Sequence, residues 1–272
     1  MNLLLFYLLL FYLVISIILF IYINKYNKIS YNKNNKIDKK FYDISIYPEL
    51  ENIYFYKDDI HNELKNLLHN YKFKNNVWID WPELNLYDTS KDIWKIMPFF
   101  YYNYWVKNNC DKMPKLTKFL KSLPNLRIAL LSVLSPHTKL NEHQGWGNHS
   151  NNVLRCHYGL IVPDECFITV REENELFGEI QYHIKDEWLI FDDSKLHFAA
   201  NNSDKYRIIL IIDLDRPNNI KKGISQIGDT KELCDIIDYI KNSSLEDTNL
   251  LVPSNENLLN QNDLDLQKPD KI

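Results

Sequence analysis

Histidine and arginine, two residue types that bind metals and anions, are concentrated in one part of this chain. Four of the eight histidines lie between residues 137 and 157, and all five arginines lie between Arg127 and Arg216, although the chain has 27 lysines. Neutral imidazole is a common metal ligand. The rigid guanidinium fork grips a carboxylate with two hydrogen bonds, where lysine offers only a point charge. The pattern hints at a site for an acidic small molecule, with histidines as candidate metal ligands.

Arg155 and His157 lie two residues apart in an alternating segment. In a strand they project from one face, and Leu154, Cys156 and Tyr158 project from the other, where they are typical of packing. A buried arginine needs a partner. That partner is either an anionic ligand or an internal salt bridge to Asp or Glu, and this segment alone leaves both open.

His197 begins a strand-like run, and Arg207 opens the next run ten residues later. Two antiparallel strands joined by a turn at 201–204 would bring both side chains to one end of a barrel, with Ile209 and Ile211 on the same face as Arg207. A histidine at the start of a strand is also common as a structural residue, so the spacing alone does not assign it.

Most of the secondary structure predicted around these residues consists of short strands. Strand-like runs occupy 126–134, 153–162, 166–171, 187–191, 196–200 and 206–214, with turn residues between them and no intervening helix. This pattern favours a sandwich or barrel. Helical periodicity at 58–68, 114–120 and 230–240 predicts flanking helices, whereas 78–105 is aromatic-rich and irregular.

The two ends of the chain differ from its body. Residues 3–23 carry no charge, so residues 1–24 are predicted to be a transmembrane anchor. Residues 25–45 are predicted to be a polar tether, and 243–272 a disordered tail. The formal net charge of −4 argues against a nucleic-acid partner, and four widely spaced cysteines argue against a zinc ribbon or a thioredoxin-type centre.

Six lysines follow the apolar run and none precedes it. The positive-inside rule therefore predicts a single-pass membrane protein whose body faces the cytosol, with the ER lumen as the alternative. Three glycosylation sequons occur, at Asn148, Asn201 and Asn242. The first two fall among the candidate site residues, where a glycan would obstruct, and this also favours the cytosolic side.

Several blocks between residues 125 and 217 together resemble the aspartyl/asparaginyl beta-hydroxylase family of Fe(II)- and 2-oxoglutarate-dependent dioxygenases. The similarity lies in the order and spacing of these blocks, whereas the N-terminal half is similar only loosely. The blocks are His143-Gln144-Gly145, Val153-Leu154-Arg155-Cys156-His157-Tyr158-Gly159-Leu160, Phe191-Asp192-Asp193-Ser194-Lys195-Leu196-His197 and Tyr206-Arg207-Ile208-Ile209-Leu210-Ile211-Ile212-Asp213.

The resemblance implies a mainly β fold, a double-stranded β-helix or jelly roll with flanking helices, as a dioxygenase domain over 46–242 with its core at 125–217. It implies that His143 and His197 bind Fe(II). Gly145 stands where the wider superfamily has a carboxylate ligand, which fits the two-histidine arrangement of this family.

The resemblance also implies a binding site for the cosubstrate 2-oxoglutarate. Ser132 and Arg207 would bind its distal carboxylate, and Arg155 and His157 the carboxylate nearer the metal. Asp193 would accept a hydrogen bond from a metal-bound water or an imidazole N–H.

Two further residues, Trp146 and Asn148, would belong to a substrate lip in the loop after His143. The implied activity is hydroxylation of a C–H bond with O₂, most simply at the β-carbon of Asp or Asn in a protein or peptide. A lipid acyl-chain hydroxylase and a non-catalytic jelly-roll binding module are the alternatives.

Overall fold

Two antiparallel sheets facing each other form the centre of the protein in a computed structural model that describes residues 15–19, 36–71 and 77–244. The strands are β1 Phe41–Tyr42, β2 Ile79–Asp80, β3 Trp94–Tyr101, β4 Tyr104–Trp105, β5 Leu126–Leu134, β6 Thr138–Lys139, β7 Val153–Ile161, β8 Cys166–Arg171, β9 Glu179–Tyr182, β10 Trp188–Phe191, β11 Leu196–Asn201 and β12 Arg207–Asp215. The α-helices outside residues 15–19 are α1 Lys57–Tyr71, α2 Lys107–Cys110, α3 Pro114–Ser122, α4 Gly147–Ser150 and α5 Lys231–Ser244, and 3₁₀ helices occupy Ile44–Ile46, Pro48–Phe55 and Leu84–Leu86.

The larger sheet has the strand order β1-β10-β7-β12-β5-β3-β2, with β4 paired to β3, and the smaller sheet has the order β6-β11-β8-β9. Of the strands from β5 onwards, β5, β7, β10 and β12 lie in the larger sheet, whereas β6, β8, β9 and β11 lie in the smaller one. This is the strand order of a jelly roll. The mainly β fold with flanking helices that the sequence predicts is therefore confirmed.

Strand register decides which residues face the space between the sheets. In β12, Ile211 pairs with His157 and Asp213 pairs with Arg155, while Ile209 pairs with Ser132 of β5. Directly paired residues project from the same side of a sheet. The face that carries Arg155, His157 and Ser132 therefore also carries the odd-numbered residues of β12, beginning with Arg207.

The other face of the larger sheet packs against the helices. Leu154, Cys156 and Tyr158 belong to one buried cluster with residues of α1 and α3, such as Leu64 and Phe119. The alternation predicted for the segment around Arg155 is therefore correct: one face packs the core and the other faces the interior of the jelly roll.

The long strand β3 lies within the segment that the sequence pattern left irregular. All of its residues except Lys95 are buried. A strand that is covered on both sides shows no period-two alternation. The strand also contains Pro98 next to a register shift, and a proline within a run argues against a strand at the sequence level.

The chain begins to pack against the domain earlier than the tether prediction implied. Ile37 bridges to Ile220, and Phe41 pairs with Phe191 of β10. The predicted anchor lies outside the described residues except for 15–19, which are helical, and the predicted tail lies outside them beyond 244. Within the described ranges, no helix combines the length and apolarity needed to cross a bilayer.

Candidate active site

His143 and His197 are direct neighbours: an antiparallel bridge joins the two residues, and both line the same cavity. Their backbones form a mutual pair of hydrogen bonds of 2.9 and 2.8 Å, and their ring centroids are 4.4 Å apart. Nδ1 of each ring lies 2.8 Å from a backbone carbonyl, Asn141 O for His143 and Lys195 O for His197. The carbonyls can only accept, so each Nδ1 carries the proton and each Nε2 presents a lone pair.

Burial keeps both imidazoles neutral. It lowers the pKa of His143 to about 3, with a contribution from neighbouring His197, and lowers the pKa of His197 to about 4. Neutral imidazoles that donate their second ring N–H to a carbonyl are the form in which histidine binds metals. In this form, the Nε2 atom of each imidazole can act as a metal ligand.

Asp193 takes up the space next to Gly145. A Cβ atom at position 145 would lie 1.9 Å from Asp193 Oδ2, so a side chain there would clash with the carboxylate. Asp193 Oδ1 lies 3.5 Å from Nε2 of His197, and its Oδ2 has no hydrogen-bond partner in the part of the chain that the structure describes. Among the described residues, no group of three or more His, Cys, Asp or Glu is arranged to hold a metal. The site thus offers two imidazoles with a carboxylate beside them.

Arg155 forms the internal salt bridge that its sequence context left open. Its Nε and Nη2 atoms each donate to Asp213 at 2.8 Å, and its Nη1 atom donates to Asp193 at 2.5 Å. Burial alone would lower the pKa of Arg155, but the two carboxylates raise it above its ordinary value. The guanidinium lines the cavity, yet its charge is already balanced.

Arg207 has the opposite environment. Its side chain is only 2% exposed, and its Nε and Nη1 atoms have no hydrogen-bond partner among the described residues. Burial lowers its pKa to about 10, so the guanidinium is still protonated at neutral pH. A buried unpaired cation is costly, and an anionic ligand would remove that cost.

Ser132 lies beside Arg207 on the neighbouring strand. Its hydroxyl accepts a hydrogen bond from Trp94 Nε1 at 3.2 Å, which leaves the hydroxyl proton available to a second acceptor. Ser132 is completely buried and lines the same cavity as Arg207. A fixed cation and a hydroxyl donor at one end of a cavity suit a carboxylate.

His157 has a partner that the sequence did not indicate. Its Nδ1 lies 3.0 Å from Nε2 of His183, a residue of the β9–β10 loop. The outer nitrogens of the pair, His157 Nε2 and His183 Nδ1, have no hydrogen-bond partner within the described ranges. Burial lowers the pKa values of both imidazoles well below the ordinary range. If His183 donates to His157, then His157 Nε2 is a donor that can meet a carboxylate. No motif surrounds His183, so only the tertiary structure could identify it.

Eight of the nine predicted site residues line one cavity: Ser132, His143, Trp146, Arg155, His157, Asp193, His197 and Arg207. Asn148 is not among the lining residues, because its exposed side chain donates to Asp229 at 2.9 Å. The cavity also contains residues that the sequence analysis did not select. Trp81 stacks on Trp94, with ring centroids 4.5 Å apart, and on Trp146, at 5.9 Å. Both Trp81 and Trp94 belong to the irregular aromatic segment.

Comparison with known proteins identifies relatives over most of this domain. The family model described as aspartyl/asparaginyl beta-hydroxylase matches residues 56–217. Aspartate beta-hydroxylase domain-containing protein 2 of Mus musculus is 34% identical over 139 residues, which are 48% of this chain and 38% of that protein. Ornithine lipid ester-linked acyl 2-hydroxylase of Rhizobium tropici is 33% identical over 127 residues, 46% of this chain and 42% of that protein.

The matched regions thus span less than half of the relatives' own lengths. Among solved structures, the chain is similar to an oxidoreductase of the 2OG-Fe(II) oxygenase family from Burkholderia pseudomallei. The match covers 53% of this chain and 76% of that protein's chain, with a TM-score of 0.36 and 9% sequence identity.

Proposed function

Because the chain belongs to the aspartyl/asparaginyl beta-hydroxylase family, we propose that it is an Fe(II)- and 2-oxoglutarate-dependent hydroxylase. The observation that carries the proposal is Arg207, a buried guanidinium with two unpartnered nitrogens in the same cavity as two neutral imidazoles. Such an arrangement suits a dicarboxylate that reaches from the arginine to a metal held by the histidines.

The residues present fit both groups. His143 and His197 would hold Fe(II) through Nε2, since their Nδ1 protons are bound to carbonyls. Ser132 and Arg207 would bind the distal carboxylate of 2-oxoglutarate. His157 would donate to the carboxylate nearer the metal, and Arg155 would contribute the N–H groups that Asp193 and Asp213 do not use. Together, iron and 2-oxoglutarate supply the oxidation of a C–H bond by O₂.

The protein's own contribution is to hold the metal, to orient its ligands and to exclude water. Asp193 places a negative charge beside the imidazoles, and Gly145 leaves the space that this carboxylate needs. The aliphatic side chains of the lining, including Ile211 of β12, keep water away from the reacting carbon. No side chain of the site is required to act as a nucleophile.

Two substrate classes follow from the relatives. The family description points to the β-carbon of Asp or Asn in a protein or peptide. The relative from Rhizobium tropici is named for an acyl chain of a lipid. A non-catalytic binding module would keep the same fold but would not turn over the cosubstrate.

The test is 2-oxoglutarate binding followed by turnover. We expect the full chain to bind 2-oxoglutarate only when Fe(II), or Mn(II) as an inert substitute, is present, and to release succinate with iron and O₂. Binding without succinate release in the presence of any substrate pool would indicate a binding module. No binding at all would refute the proposal.

We further propose that the apolar N-terminal run is a membrane anchor and that the domain faces the cytosol. The six lysines after the run support this orientation. Protease protection in sealed microsomes tests it, together with glycan occupancy at Asn148 and Asn242, whose side chains are exposed. Asn201 is buried and bonded to three carbonyls, so it cannot report sidedness. A protected, glycosylated domain would show a lumenal enzyme.

A further inference from the structure

Large apolar side chains are concentrated on the surface of one hairpin, outside the cavity. Leu176 and Phe177 lie in the loop between β8 and β9, residues 172–178, and are 84% and 82% exposed. Ile180 and Tyr182 of β9 are also exposed, by 52% and 60%. Single exposed apolar residues are ordinary on a soluble domain, whereas a group of them marks an interaction surface. These four side chains are called the hairpin patch below.

The loop of this hairpin is held in shape by its own polar contacts. Arg171 Nη1 donates to the backbone carbonyls of Glu172 and Glu175 at 3.2 and 2.9 Å. The carboxylate of Glu175 accepts from the backbone N–H of Glu172 at 3.0 Å. Gly178 lets β9 approach β8 closely, since a Cβ there would lie 2.2 Å from Thr169 Cγ2. An ordered loop loses little conformational entropy when it binds a partner.

The same hairpin is attached to the two chain segments that carry the proposed metal ligands. Arg171 Nε donates at 2.7 Å to Glu142, the residue before the first proposed ligand. Lys195, two residues before the second proposed ligand, is buried and forms an ion pair with Glu172. A partner docked on the hairpin patch would therefore lie at the metal end of the cavity.

The chain enters the domain beside this hairpin. Lys40 Nζ lies 2.8 Å from Glu175 Oε1 in the loop. Ile23, the last residue of the uncharged run, is only 13 positions before Lys36. A stretch of that length spans at most about 45 Å when fully extended. The proposed function places the uncharged run in a bilayer, so this short connection keeps the hairpin close to the bilayer surface.

We propose that the hairpin patch docks on the bilayer that holds the N-terminal run, with Leu176 and Phe177 inserted among the lipids. The inference rests on the proposed anchor and is independent of which side of the membrane the domain faces. Insertion removes two large apolar side chains from water, and the tether raises their effective concentration at the surface. Glu173 and Glu179 flank the pair and are exposed, so a zwitterionic surface suits the hairpin better than an anionic one.

The test places an indole at the patch in the full chain, reconstituted into phosphatidylcholine liposomes. Lipids brominated on the acyl chain quench the fluorescence of an indole that they contact. The fluorescence of the parent in the same liposomes is subtracted, because the chain has six tryptophans of its own. The added signal of Phe177→Trp should be quenched by the brominated lipid and shifted to shorter wavelength.

Phe55→Trp is the matched control, since Phe55 is 85% exposed and is also a phenylalanine. It ends a 3₁₀ helix just before α1. His61 of α1 contacts Asp186 at 2.5 Å, in the loop that follows β9, at the other end of that strand from the loop of the patch. The added signal of Phe55→Trp should be neither quenched nor shifted. Both variants should bind 2-oxoglutarate with Mn(II) as the parent does, which shows that they are folded.

Two further measurements test the apolar nature of the contact. Leu176→Ser, made in the Phe177→Trp chain, removes one of the two inserted side chains. The ratio of docked to undocked protein should fall by about 10- to 150-fold, the equivalent of one large apolar side chain left in water. Replacing part of the phosphatidylcholine by phosphatidylserine should weaken the quenching, because of the two flanking glutamates.

The outcomes separate this inference from the proposed function. A parent chain that does not float with liposomes would refute the proposed anchor and, with it, this inference, whereas the hydroxylase proposal is tested separately by 2-oxoglutarate binding. If the chain floats but Phe177→Trp is quenched no more than Phe55→Trp, the anchor stands and the docking is wrong. A spectral shift without quenching would show that protein covers the patch. Quenching that grows with phosphatidylserine, or that survives Leu176→Ser unchanged, would overturn the apolar contact.

Discussion

Replacing Arg207 with methionine should weaken 2-oxoglutarate binding and, at the same time, stabilise the ligand-free protein. Methionine is long, apolar and flexible enough to fill the space of the arginine stem. The change removes a buried guanidinium, two of whose nitrogens have no hydrogen-bond partner among the residues described by the structure. An unsatisfied buried polar group costs about 1–3 kcal/mol, so the free energy of unfolding of the ligand-free variant should rise by about that amount.

The same residue supplies a charge-assisted contact to the ligand. A hydrogen bond to a charged group contributes about 1.5–3 kcal/mol. Its loss corresponds to binding weaker by about 10- to 150-fold. At a 2-oxoglutarate concentration of 100 times the parent's dissociation constant, the ligand stabilises the parent by about 2.7 kcal/mol. The same concentration would stabilise Arg207→Met by only about 0.3–1.4 kcal/mol.

Thermal unfolding with Mn(II), in the presence and absence of 2-oxoglutarate, measures both effects. For a domain of this size the ligand should raise the Tm of the parent by about 5–11 °C and that of the variant by about 1–6 °C. Arg207→Lys should also bind poorly, because lysine lacks the planar fork. Arg127→Met is the matched control, since Arg127 pairs with Asp215 and does not line the cavity. It should keep the full ligand-induced shift.

Two results would refute the reasoning. If Arg207→Met lowered the stability of the ligand-free protein, the guanidinium would have a partner that satisfies it. If Arg207→Met or Arg207→Lys gave the same ligand-induced shift as the parent, the cosubstrate would not be bound by this side chain.

Three further predictions concern other residues of the site. The double variant His143→Ala, His197→Ala should lose the bound Fe(II) that the parent holds, whereas His137→Ala, at an exposed histidine, should keep it. Metal analysis after gel filtration measures this, and iron retained in the double variant would reject the ligand assignment. Asp213→Asn should destabilise the fold by about 3–5 kcal/mol, because it breaks the buried pair with Arg155. Arg155 holds the pKa of Asp213 below its usual range. The parent's excess in unfolding free energy over Asp213→Asn should therefore be complete above about pH 4 and should decrease as the pH falls further. A difference in unfolding free energy that stays constant with pH would contradict this. His183→Phe should weaken 2-oxoglutarate binding by about 2- to 12-fold, because it removes one hydrogen bond that orients the imidazole of His157. Its iron content should not change. Calorimetric titration measures the binding, and binding equal to the parent's would show that His183 only packs.

Most of the strand pattern, and the residue types of the site, can be read from the amino-acid sequence. Six runs predicted from alternation correspond to β5, β7, β8, β10, β11 and β12, because each of these strands is bounded by turn residues that are visible in the sequence. Alternation along a strand decides the face on which each side chain lies, so the sequence is enough to place Arg155 and His157 on one face. The family membership can be predicted from the order and spacing of four short sequence blocks, because such motifs are visible without any knowledge of the fold.

The pairing of charges and the stacking of aromatic rings in the site depend on contacts that form when the chain folds. Arg155 and Arg207 are the same residue type at similar strand positions, yet one is balanced by two carboxylates and the other has unpartnered nitrogens. Strand β3 and the stack of Trp81 on Trp94 were not predicted, since a segment buried on both sides has no period. His183 reaches His157 from a distant loop. Contacts between residues far apart in sequence depend on how the sheets close on each other, and no local pattern encodes that.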